Sequence, residues 1–323
     1  MTKKTIKKKE KISIIVPCYN EEEALPLFYD EIIKVAKTID EDYELLLIND
    51  GSKDNTLNVM KSLARKDKHV FFLSFSRNFG KESAMYAGFV NATGDYVAVM
   101  DADIQDPPSL LPQMIDILKN EDYDSVATRR ISRVGESKIR SFFARLFYRI
   151  INKISDSDIV DGARDFRLMK RSMVDSIISM SEYNRFSKGI FGWVGFKTRW
   201  LSYENVERIA GKTSWSFWGL VKYAIGGFVN FSLVPLNIAS FFGFFSTGMA
   251  FFYLIFVLIK YLIYGDPVQG WATLICVILF LGGIQLLCIG IIGQYVGKTY
   301  LEVKNRPHYI VSESNKKEVI KIG

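Results

Sequence analysis

Two long stretches without charged side chains in the C-terminal third limit what this chain can fold into. Residues 224–259 and 267–297 contain no Asp, Glu, Lys or Arg. A helix that crosses a bilayer needs about 20 predominantly apolar residues, and each stretch exceeds that length. We therefore predict two membrane spans, Leu236–Ile263 and Trp271–Val296, separated by a short turn at Tyr264–Pro267. A buried helix of a soluble protein is the alternative, but two such stretches in succession argue against it.

Basic residues on either side of the two spans predict their orientation. The turn between the spans carries Asp266 and no Lys or Arg, whereas both outer flanks are basic. The flanking residues are Lys212, Lys222, Lys298, Lys304 and Arg306. Because positive charge is enriched on the cytoplasmic side, we predict a multi-pass protein of the cell membrane with both termini in the cytoplasm.

The N-terminal part of the chain alternates between apolar runs and segments of helical periodicity. Four runs are predicted to be buried strands, namely Ile12–Val16, Tyr43–Ile48, Val70–Phe75 and Tyr96–Met100. Between them, segments such as Ala24–Ile39 and Thr56–Ala64 have the spacing of helices. The alternation predicts an α/β fold with a doubly wound, mostly parallel sheet, which binds ligands at the carboxyl ends of its strands. A hydrophobic fraction of 49% and a charged fraction of 24% favour a folded chain over a disordered one.

Further segments are predicted to lie along a membrane surface. Within residues 137–154, bulky apolar side chains recur every three or four positions with Lys and Arg between them, although a helix packed on the protein's own core is the alternative. Residues 213–234 contain two Trp and one Tyr, which favour the interface. The basic N-terminus is either a solvated tail or a segment held near anionic lipid. The predicted organisation is an N-terminal tail (residues 1–11), a cytoplasmic domain (12–212), an interfacial helix (213–234), two transmembrane helices (235–298) and a C-terminal tail (299–323).

Two carboxylates follow directly after the strand Tyr96–Met100. Asp101 and Asp103 are two residues apart, and Gln105 comes next within Gln105-Asp106-Pro107-Pro108. Side chains at this spacing can converge on one hard cation, and Mg²⁺ and Mn²⁺ prefer oxygen ligands. An Asp-x-Asp pair alone is weak evidence, because surface loops often contain it. We predict that Asp101, Asp103 and Gln105 bind Mg²⁺ or Mn²⁺, which would offset charge on a departing diphosphate.

A second acidic loop follows the strand Tyr43–Ile48. Asp50 can accept hydrogen bonds from a base or a ribose, whereas Ser52 and Asp54 are suited to cap the next helix. The first strand leads into Tyr19, whose ring can stack on a base.

Together these loops resemble those of glycosyltransferase family 2. The segments that carry the resemblance are Ile14–Glu21, Asn49–Asp54 and Asp101–Pro108. Residues Phe75–Glu82 and Asp165–Leu168 make the chain similar to the bacterial polyprenyl-phosphate (bactoprenol) glycosyltransferases, relatives of dolichyl-phosphate mannose synthase. The resemblance covers almost the whole chain, and it specifies the family far better than the sugar. It implies a GT-A-like fold and an inverting enzyme that moves glucose or N-acetylglucosamine from a UDP-sugar to polyprenyl phosphate, for modification of a cell-envelope glycan.

The resemblance also implies roles for individual residues. Contacts with the nucleotide-sugar are implied for Pro17, Tyr19, Glu21, Ile48, Asp50, Asp101, Ala102 and Arg129. Arg208 and Lys212 match a basic loop that closes over phosphates, although a basic flank beside the membrane is the alternative. Asp103 and Asp165 are the implied catalytic carboxylates. Because a phosphate monoester has its second pKa near 6, it barely needs a base, and we predict that Asp165 mainly positions the sugar or an arginine such as Arg164 or Arg167.

Three other functions fit the sequence less well. A processive polysaccharide synthase carries a Gln-x-x-Arg-Trp motif that this chain lacks, and two spans make a poor conduit. A non-enzymatic membrane scaffold with a vestigial transferase domain is disfavoured because the predicted metal ligands are all present. A nucleic-acid binder is disfavoured because the basic residues behind the net charge of +7 cluster at the membrane flanks. The predicted partners are a UDP-sugar, a polyprenyl phosphate and the bilayer, and the sugar and self-association stay open.

Overall fold

The computed structural model describes residues 9–130, 160, 162–203, 234–264 and 270–320, which fall into two compact units. The strands of the first unit are β1 (Lys11–Cys18), β2 (Asp42–Asn49), β3 (Val70–Phe75), β4 (Tyr96–Val99), β5 (Ser125–Arg130), β6 (Ala163–Lys170), β7 (Thr198–Tyr203) and β8 (Val311–Ser314). Its helices are α1 (Ala24–Ala36), α2 (Thr56–Lys66), α3 (Lys81–Asn91), α4 (Leu111–Asn120), α5 (Arg171–Ser179) and α6 (Ser187–Trp193), with a 3-10 turn at Pro108–Leu110. The described strands form one sheet in the order β7-β5-β6-β4-β1-β2-β3-β8.

The centre of the sheet is parallel, as the sequence predicts. Strand β1 pairs in parallel with β2 and β4, and β2 pairs in parallel with β3. Apolar residues occupy both faces of these strands because helices cover both faces. On one face Ile14 packs in a core with Phe28 of α1 and Met114 of α4. On the other face Ile15 lies under Gly88 of α3, where an added Cβ would come within 2.2 Å of the Ile15 Cγ2 atom.

The other part of the sheet is mixed, and the sequence did not predict it. Strand β6 runs antiparallel to both of its neighbours, β4 and β5, and β7 then pairs in parallel with β5. Val99 of β4 stands opposite Arg167 of β6. Because the two strands are antiparallel, a step of two residues beyond Val99 corresponds to a step of two residues before Arg167. The chain therefore brings Asp101 and Asp165 close to each other at the ends of these strands.

The segment after the last long helix returns to the sheet. The predicted C-terminal tail, residues 299–323, contains β8, which pairs antiparallel with the edge of β3. The Phe72 N–H donates to Asn315 Oδ1 at 2.7 Å, and the Ser76 N–H donates to the Ile310 carbonyl oxygen at 2.9 Å. This segment therefore covers an edge of β3 whose backbone groups would otherwise lack partners.

The second unit contains two long helices, α7 (Val234–Tyr264) and α8 (Trp271–Val303), over the two predicted spans. The helices contact each other, and Cys288 Sγ donates to the Ala239 carbonyl oxygen at 3.3 Å. By length and composition, one stretch of the described residues, Phe280–Val303, is long and apolar enough to cross a membrane. The membrane location of both spans stays a prediction. The predicted interfacial helices at 137–154 and 213–234 lie outside the described residues.

Candidate active site

Loops at the carboxyl ends of the parallel strands hold one another in place. The Asn20 N–H donates to Ser52 Oγ at 3.0 Å, and the Lys53 N–H donates to Asn20 Oδ1 at 2.9 Å. Asn20 has a φ of 56°, a left-handed conformation that Asn tolerates. The N-cap of α2 is Asn55 and not the predicted Asp54, whose Oδ1 instead accepts the N–H of Thr56, the first residue of the helix, at 3.1 Å. The loops after β1 and β2 are thus joined at the edge where ligands are expected.

Asp50 fixes the loop after β3. Its side chain is buried, and its two oxygens accept the N–H groups of Phe79 and Gly80 at 2.6 and 2.9 Å. Burial raises the pKa of Asp50, although the two backbone donors oppose that change. Gly51 permits this close approach, since it has a φ of 64° and an added Cβ would lie 2.3 Å from the carbonyl carbon of Arg77. Asp50 therefore holds the start of α3, a structural role beside the predicted nucleoside contact.

Lys81, the first residue of α3, joins two of the predicted carboxylates. Its Nζ lies 2.7 Å from Asp101 Oδ1 and 3.0 Å from Asp101 Oδ2. The same Nζ lies 2.5 Å from Asp165 Oδ2. Two negative groups and one positive group thus form a single cluster at the end of β4, and the sequence prediction gave Lys81 no role.

The charges of this cluster stabilise one another. Burial would raise the pKa of Asp165, but the ammonium of Lys81, helped by that of Lys188, outweighs this effect and holds the pKa well below its usual range. The partial burial of the Lys81 ammonium acts to lower its pKa, but Asp101 and Asp165 outweigh this effect and hold that pKa well above its ordinary value. Asp165 and Lys81 are therefore both ionised at neutral pH.

Asp106 attaches the acidic loop to the sheet. Its side chain is 1% exposed, and its Oδ1 accepts hydrogen bonds from Arg164 Nε at 3.0 Å and from the Tyr203 hydroxyl. Burial raises the pKa of Asp106, and the charge of Arg164 opposes this effect. The Arg164 Nη2 also donates to Gln105 Oε1 at 3.1 Å. One guanidinium on β6 thus fixes two successive residues of the loop that carries the predicted metal ligands.

Two of the three predicted metal ligands suit a divalent ion. Asp101 and Asp103 follow β4 directly, and the side chain of Asp101 is 25% exposed. Gln105 fits less well, because its amide oxygen accepts from Arg164. Within the described residues, no group of three or more His, Cys, Asp or Glu side chains is arranged around a common ion position. Two carboxylates still match Mg²⁺ or Mn²⁺, which commonly bind one or two protein carboxylates together with substrate phosphates.

Several residues predicted to contact the nucleotide-sugar have buried side chains. Pro17 and Ile48 are cross-strand partners at the ends of β1 and β2. Ile48 and Ala102 are buried as whole residues, so neither of them offers exposed surface to a ligand in this structure. Tyr19 differs, since its ring is 42% exposed and available for stacking on a base.

The remaining predicted residues are dispersed. Arg129 donates from Nε to Ser202 Oγ at 2.8 Å, on strands that β6 separates from β4. The Glu21 N–H donates to Thr56 Oγ1 at 2.8 Å, and Glu21 lines an open cavity of about 390 Å³ beside the start of α1. Arg208 and Lys212 lie outside the part of the chain that the structure describes.

The arginines that flank Asp165 make their described hydrogen bonds and ring contacts with other residues, although their charges interact with the Asp165 carboxylate. Arg164 pairs with Asp106, as described above. Arg167 is buried, its guanidinium carbon lies 3.6 Å from the centroid of the Phe191 ring, and its Nε has no hydrogen-bond partner among the described residues. The partner that Asp165 has instead is Lys81. A sequence signal for it exists, because a lysine at the first position of a helix is electrostatically unfavourable and calls for a carboxylate nearby.

Comparison with known proteins identifies the relatives of this chain. The profile of the family described as "Glycosyl transferase family 2" matches residues 13–178. The SfII prophage-derived bactoprenol glucosyl transferase of Shigella flexneri is 41% identical over 306 residues, which cover 95% of this chain and 99% of that protein. A prophage bactoprenol glucosyl transferase homolog of Escherichia coli K12 is 42% identical over 306 residues, covering 95% and 100%. Among solved structures, the mannosyltransferase PcManGT of Pyrobaculum calidifontis, in complex with GDP-Man and Mn²⁺, is 16% identical and covers 89% of this chain and 87% of its own with a TM-score of 0.46.

Proposed function

Because the chain belongs to glycosyl transferase family 2 and is a glycosyltransferase, we propose that it moves a hexose from a UDP-sugar to a polyprenyl phosphate. The names of its relatives support a polyprenol carrier as the acceptor and glucose as the sugar, with N-acetylglucosamine as the alternative. The reaction would take place at the cytoplasmic face of a membrane, where donor and lipid meet. The α/β fold with a mostly parallel mixed sheet is the fold expected for such an enzyme.

The observation that carries the proposal is the cluster of Asp101, Asp165 and Lys81 at the carboxyl end of β4. Ligands of α/β sheets bind at such strand ends. In the proposed complex the donor diphosphate lies over the loop of Asp101, and the transferred sugar faces Asp165. The joined loops after β1 and β2, including the exposed ring of Tyr19, then receive the nucleoside.

The proposed complex includes Mg²⁺ or Mn²⁺ on Asp101 and Asp103. Such an ion, when bound, supplies positive charge to the departing diphosphate. Gln105 is left out of the proposed ligand set because Arg164 engages its amide oxygen. The role of Arg164 and Asp106 is to hold the loop, so that the two carboxylates keep their positions while the diphosphate leaves.

Asp165 is proposed to position the sugar rather than to remove a proton. Its pKa lies well below the usual range, and a carboxylate of that kind is a weak base at neutral pH. A phosphate acceptor is compatible with such a site, because its second pKa is about 6 and it arrives largely as a dianion. An acceptor oxygen that is already ionised can attack the sugar without a strong base.

Two features of the long helices support a membrane location. Their surface is apolar, with Phe244 of α7 83% exposed and Leu286 of α8 72% exposed, and exposed apolar surface of this extent is unfavourable in water. The chain order also requires an even number of crossings. Strands β7 and β8 belong to one sheet, so the chain between them must return to the side that it left. If α8 crosses the membrane, a second crossing is needed between β7 and β8, and we propose that α7 supplies it.

Cysteine labelling tests this topology. In a variant with serine in place of the three native cysteines, Asp266→Cys should react with an impermeant maleimide on intact cells. Lys317→Cys, on the exposed segment after β8, should react only after the cells are permeabilised. Labelling of Lys317→Cys on intact cells would overturn the proposed orientation.

A transfer assay with a panel of donors tests the reaction and its metal dependence. Purified full-length protein is incubated with polyprenyl phosphate and isotope-labelled nucleotide-sugars, and label in the lipid extract is counted. UDP-glucose should be the best donor, and EDTA should abolish transfer. Asp103→Asn should reduce transfer by at least about 100-fold. Asp95→Asn, at the opposite end of β4, where Asp95 accepts the Lys11 N–H, is the matched control and should retain activity within about 3-fold. Full activity after exhaustive removal of metal would contradict the proposed site.

A further inference from the structure

Lys81 occupies a position that disfavours positive charge. It is the first residue of α3, and the N-terminus of a helix favours anions. Its ammonium is compensated by the two carboxylates that it faces, Asp101 and Asp165. The position of this lysine indicates that its ammonium stabilises the two carboxylates and does not stabilise the helix.

The backbone of Lys81 is fixed, whereas its side chain is able to move. The N–H groups of Phe79 and Gly80, directly before it, are both held by Asp50. The side chain of Lys81 is 43% exposed, and a lysine side chain is flexible. The ammonium can therefore change partners without a shift of α3.

A divalent ion and Lys81 compete for the same atoms. Both carboxylate oxygens of Asp101 lie within 3.0 Å of the Lys81 ammonium. An ion bound to Asp101 needs at least one of these oxygens, and two cations repel each other at such distances. The contact with Asp165 involves a different carboxylate, so it can persist when the ion is bound.

We propose that Lys81 is a positioning residue that exchanges with the metal ion at Asp101. Without donor, the ammonium neutralises Asp101 and Asp165 together. When the ion arrives with the donor diphosphate, the ammonium leaves Asp101, stays on Asp165 and gains the diphosphate as a partner. This inference rests on the proposed metal-dependent function. It requires that ion and donor each strengthen the binding of the other, since linkage of this kind is reciprocal.

Binding of Mn²⁺ alone tests the exchange. Free Mn²⁺ is measured by electron paramagnetic resonance during titration of full-length protein, first without nucleotide and then with saturating UDP. UDP should lower the wild-type Kd for Mn²⁺ by at least about 10-fold. Lys81→Met should bind Mn²⁺ without UDP at least about 10-fold more tightly than the wild type, because the competing ammonium is gone. A folding defect would weaken binding, so a gain in affinity separates exchange from a structural role.

Two further variants serve as controls. Lys81→Arg retains the positive charge and should keep the weak Mn²⁺ binding of the wild type. Lys188→Met removes a charge that also acts on Asp165, but the Lys188 ammonium donates to the carbonyl oxygen of Ala163 at 3.0 Å, so Mn²⁺ affinity should change by less than about 3-fold.

Three results would overturn the exchange: no gain for Lys81→Met, an equal gain for Lys188→Met, or an equal gain for Lys81→Arg. In each case the proposed function stands as long as wild-type protein binds Mn²⁺ together with UDP. A wild type that binds no Mn²⁺ with UDP contradicts the proposed metal site itself.

Discussion

Glu44 is a buried carboxylate that connects distant parts of the catalytic unit, and Glu44→Gln should lower its stability. The side chain is 1% exposed. It accepts hydrogen bonds from the Ser13 hydroxyl at 2.6 Å, the Thr93 N–H at 2.7 Å and the Lys11 ammonium at 2.9 Å. The ammonium of Lys316, in the segment after β8, lies 3.7 Å away. The substitution removes the charge that holds these groups together.

The size of the effect follows from the pKa of Glu44. Burial acts to raise this pKa, but the hydrogen bonds from Ser13, Lys11 and Thr93 outweigh it and lower the pKa from 4.5 to about 2. A difference of about 2.5 pKa units, at about 1.4 kcal/mol per unit, corresponds to about 3.5 kcal/mol of folding stability. Because the folded pKa is the lower one, this stabilisation is present above pH 4.5 and is lost as the pH falls towards 2. At pH 7 the apparent Tm of Glu44→Gln should therefore be lower than that of the wild type by about 7–14 °C.

Thermal melting followed by tryptophan fluorescence in detergent provides the assay. The difference in Tm between wild type and Glu44→Gln should be full at pH 7 and should narrow below pH 4.5. Hydrogen exchange at residues 311–320 should also increase, because Lys316 loses one of its partners and keeps the Asn91 carbonyl oxygen. Glu31→Gln, which breaks an exposed pair with Lys34, is the matched control and should leave the Tm within about 1 °C. If the Tm of Glu44→Gln at pH 7 differs from that of the wild type by as little as the Tm of Glu31→Gln does, the predicted stabilisation by Glu44 is refuted.

Three further substitutions test the surroundings of the site. Gly51→Ala should weaken UDP binding in calorimetry by at least about 10-fold, since the new Cβ would meet the backbone of Arg77, and unchanged affinity would contradict this. Asp106→Asn should lower the free energy of unfolding by about 3–5 kcal/mol, because Arg164 loses its buried counter-charge. A Tm equal to that of the wild type would show that the ion pair is not needed for stability. Burial raises the pKa of the Glu82 carboxyl group from 4.5 to about 7, so the folded state favours the protonated form. The stability that this proton contributes is fully present below pH 4.5 and is lost as the pH rises through 7. Glu82→Gln should therefore be more stable than wild type at pH 8, and parallel pH profiles of Tm would contradict that.

The central strands could be predicted from the sequence, whereas the outer strands could not. Strands β1 to β4 are apolar on both faces, so their composition alone marks them. Strand β6 contains Arg164, Asp165 and Arg167, because it carries part of the site, and this polarity hides the pattern of a buried strand. Strand β8 consists of Val311 and three polar residues, and its pairing with β3 depends on contacts across more than 200 positions of sequence.

The residues of the candidate site were predictable, but several of their partners were not. Asp101 and Asp165 could be named from motifs, and they lie together as parts of one site should. Their partner Lys81 was not assigned, although its place at the first position of a helix is a signal, because the contacts join the start of α3 to residues 20 and 84 positions away in the sequence. Arg164 pairs with Asp106, a contact between residues 58 positions apart that adjacency to Asp165 in the sequence does not indicate.

The most direct test is the mass of the lipid that the purified protein makes from UDP-glucose and Mn²⁺ when undecaprenyl phosphate and undecaprenol are offered side by side. We predict one hexose on undecaprenyl phosphate and none on undecaprenol, because the phosphate is already ionised and the low pKa of Asp165 makes it a weak base for an alcohol. Equal glycosylation of the free alcohol, or a ladder of products with several hexoses, would contradict transfer of a single sugar to a lipid phosphate.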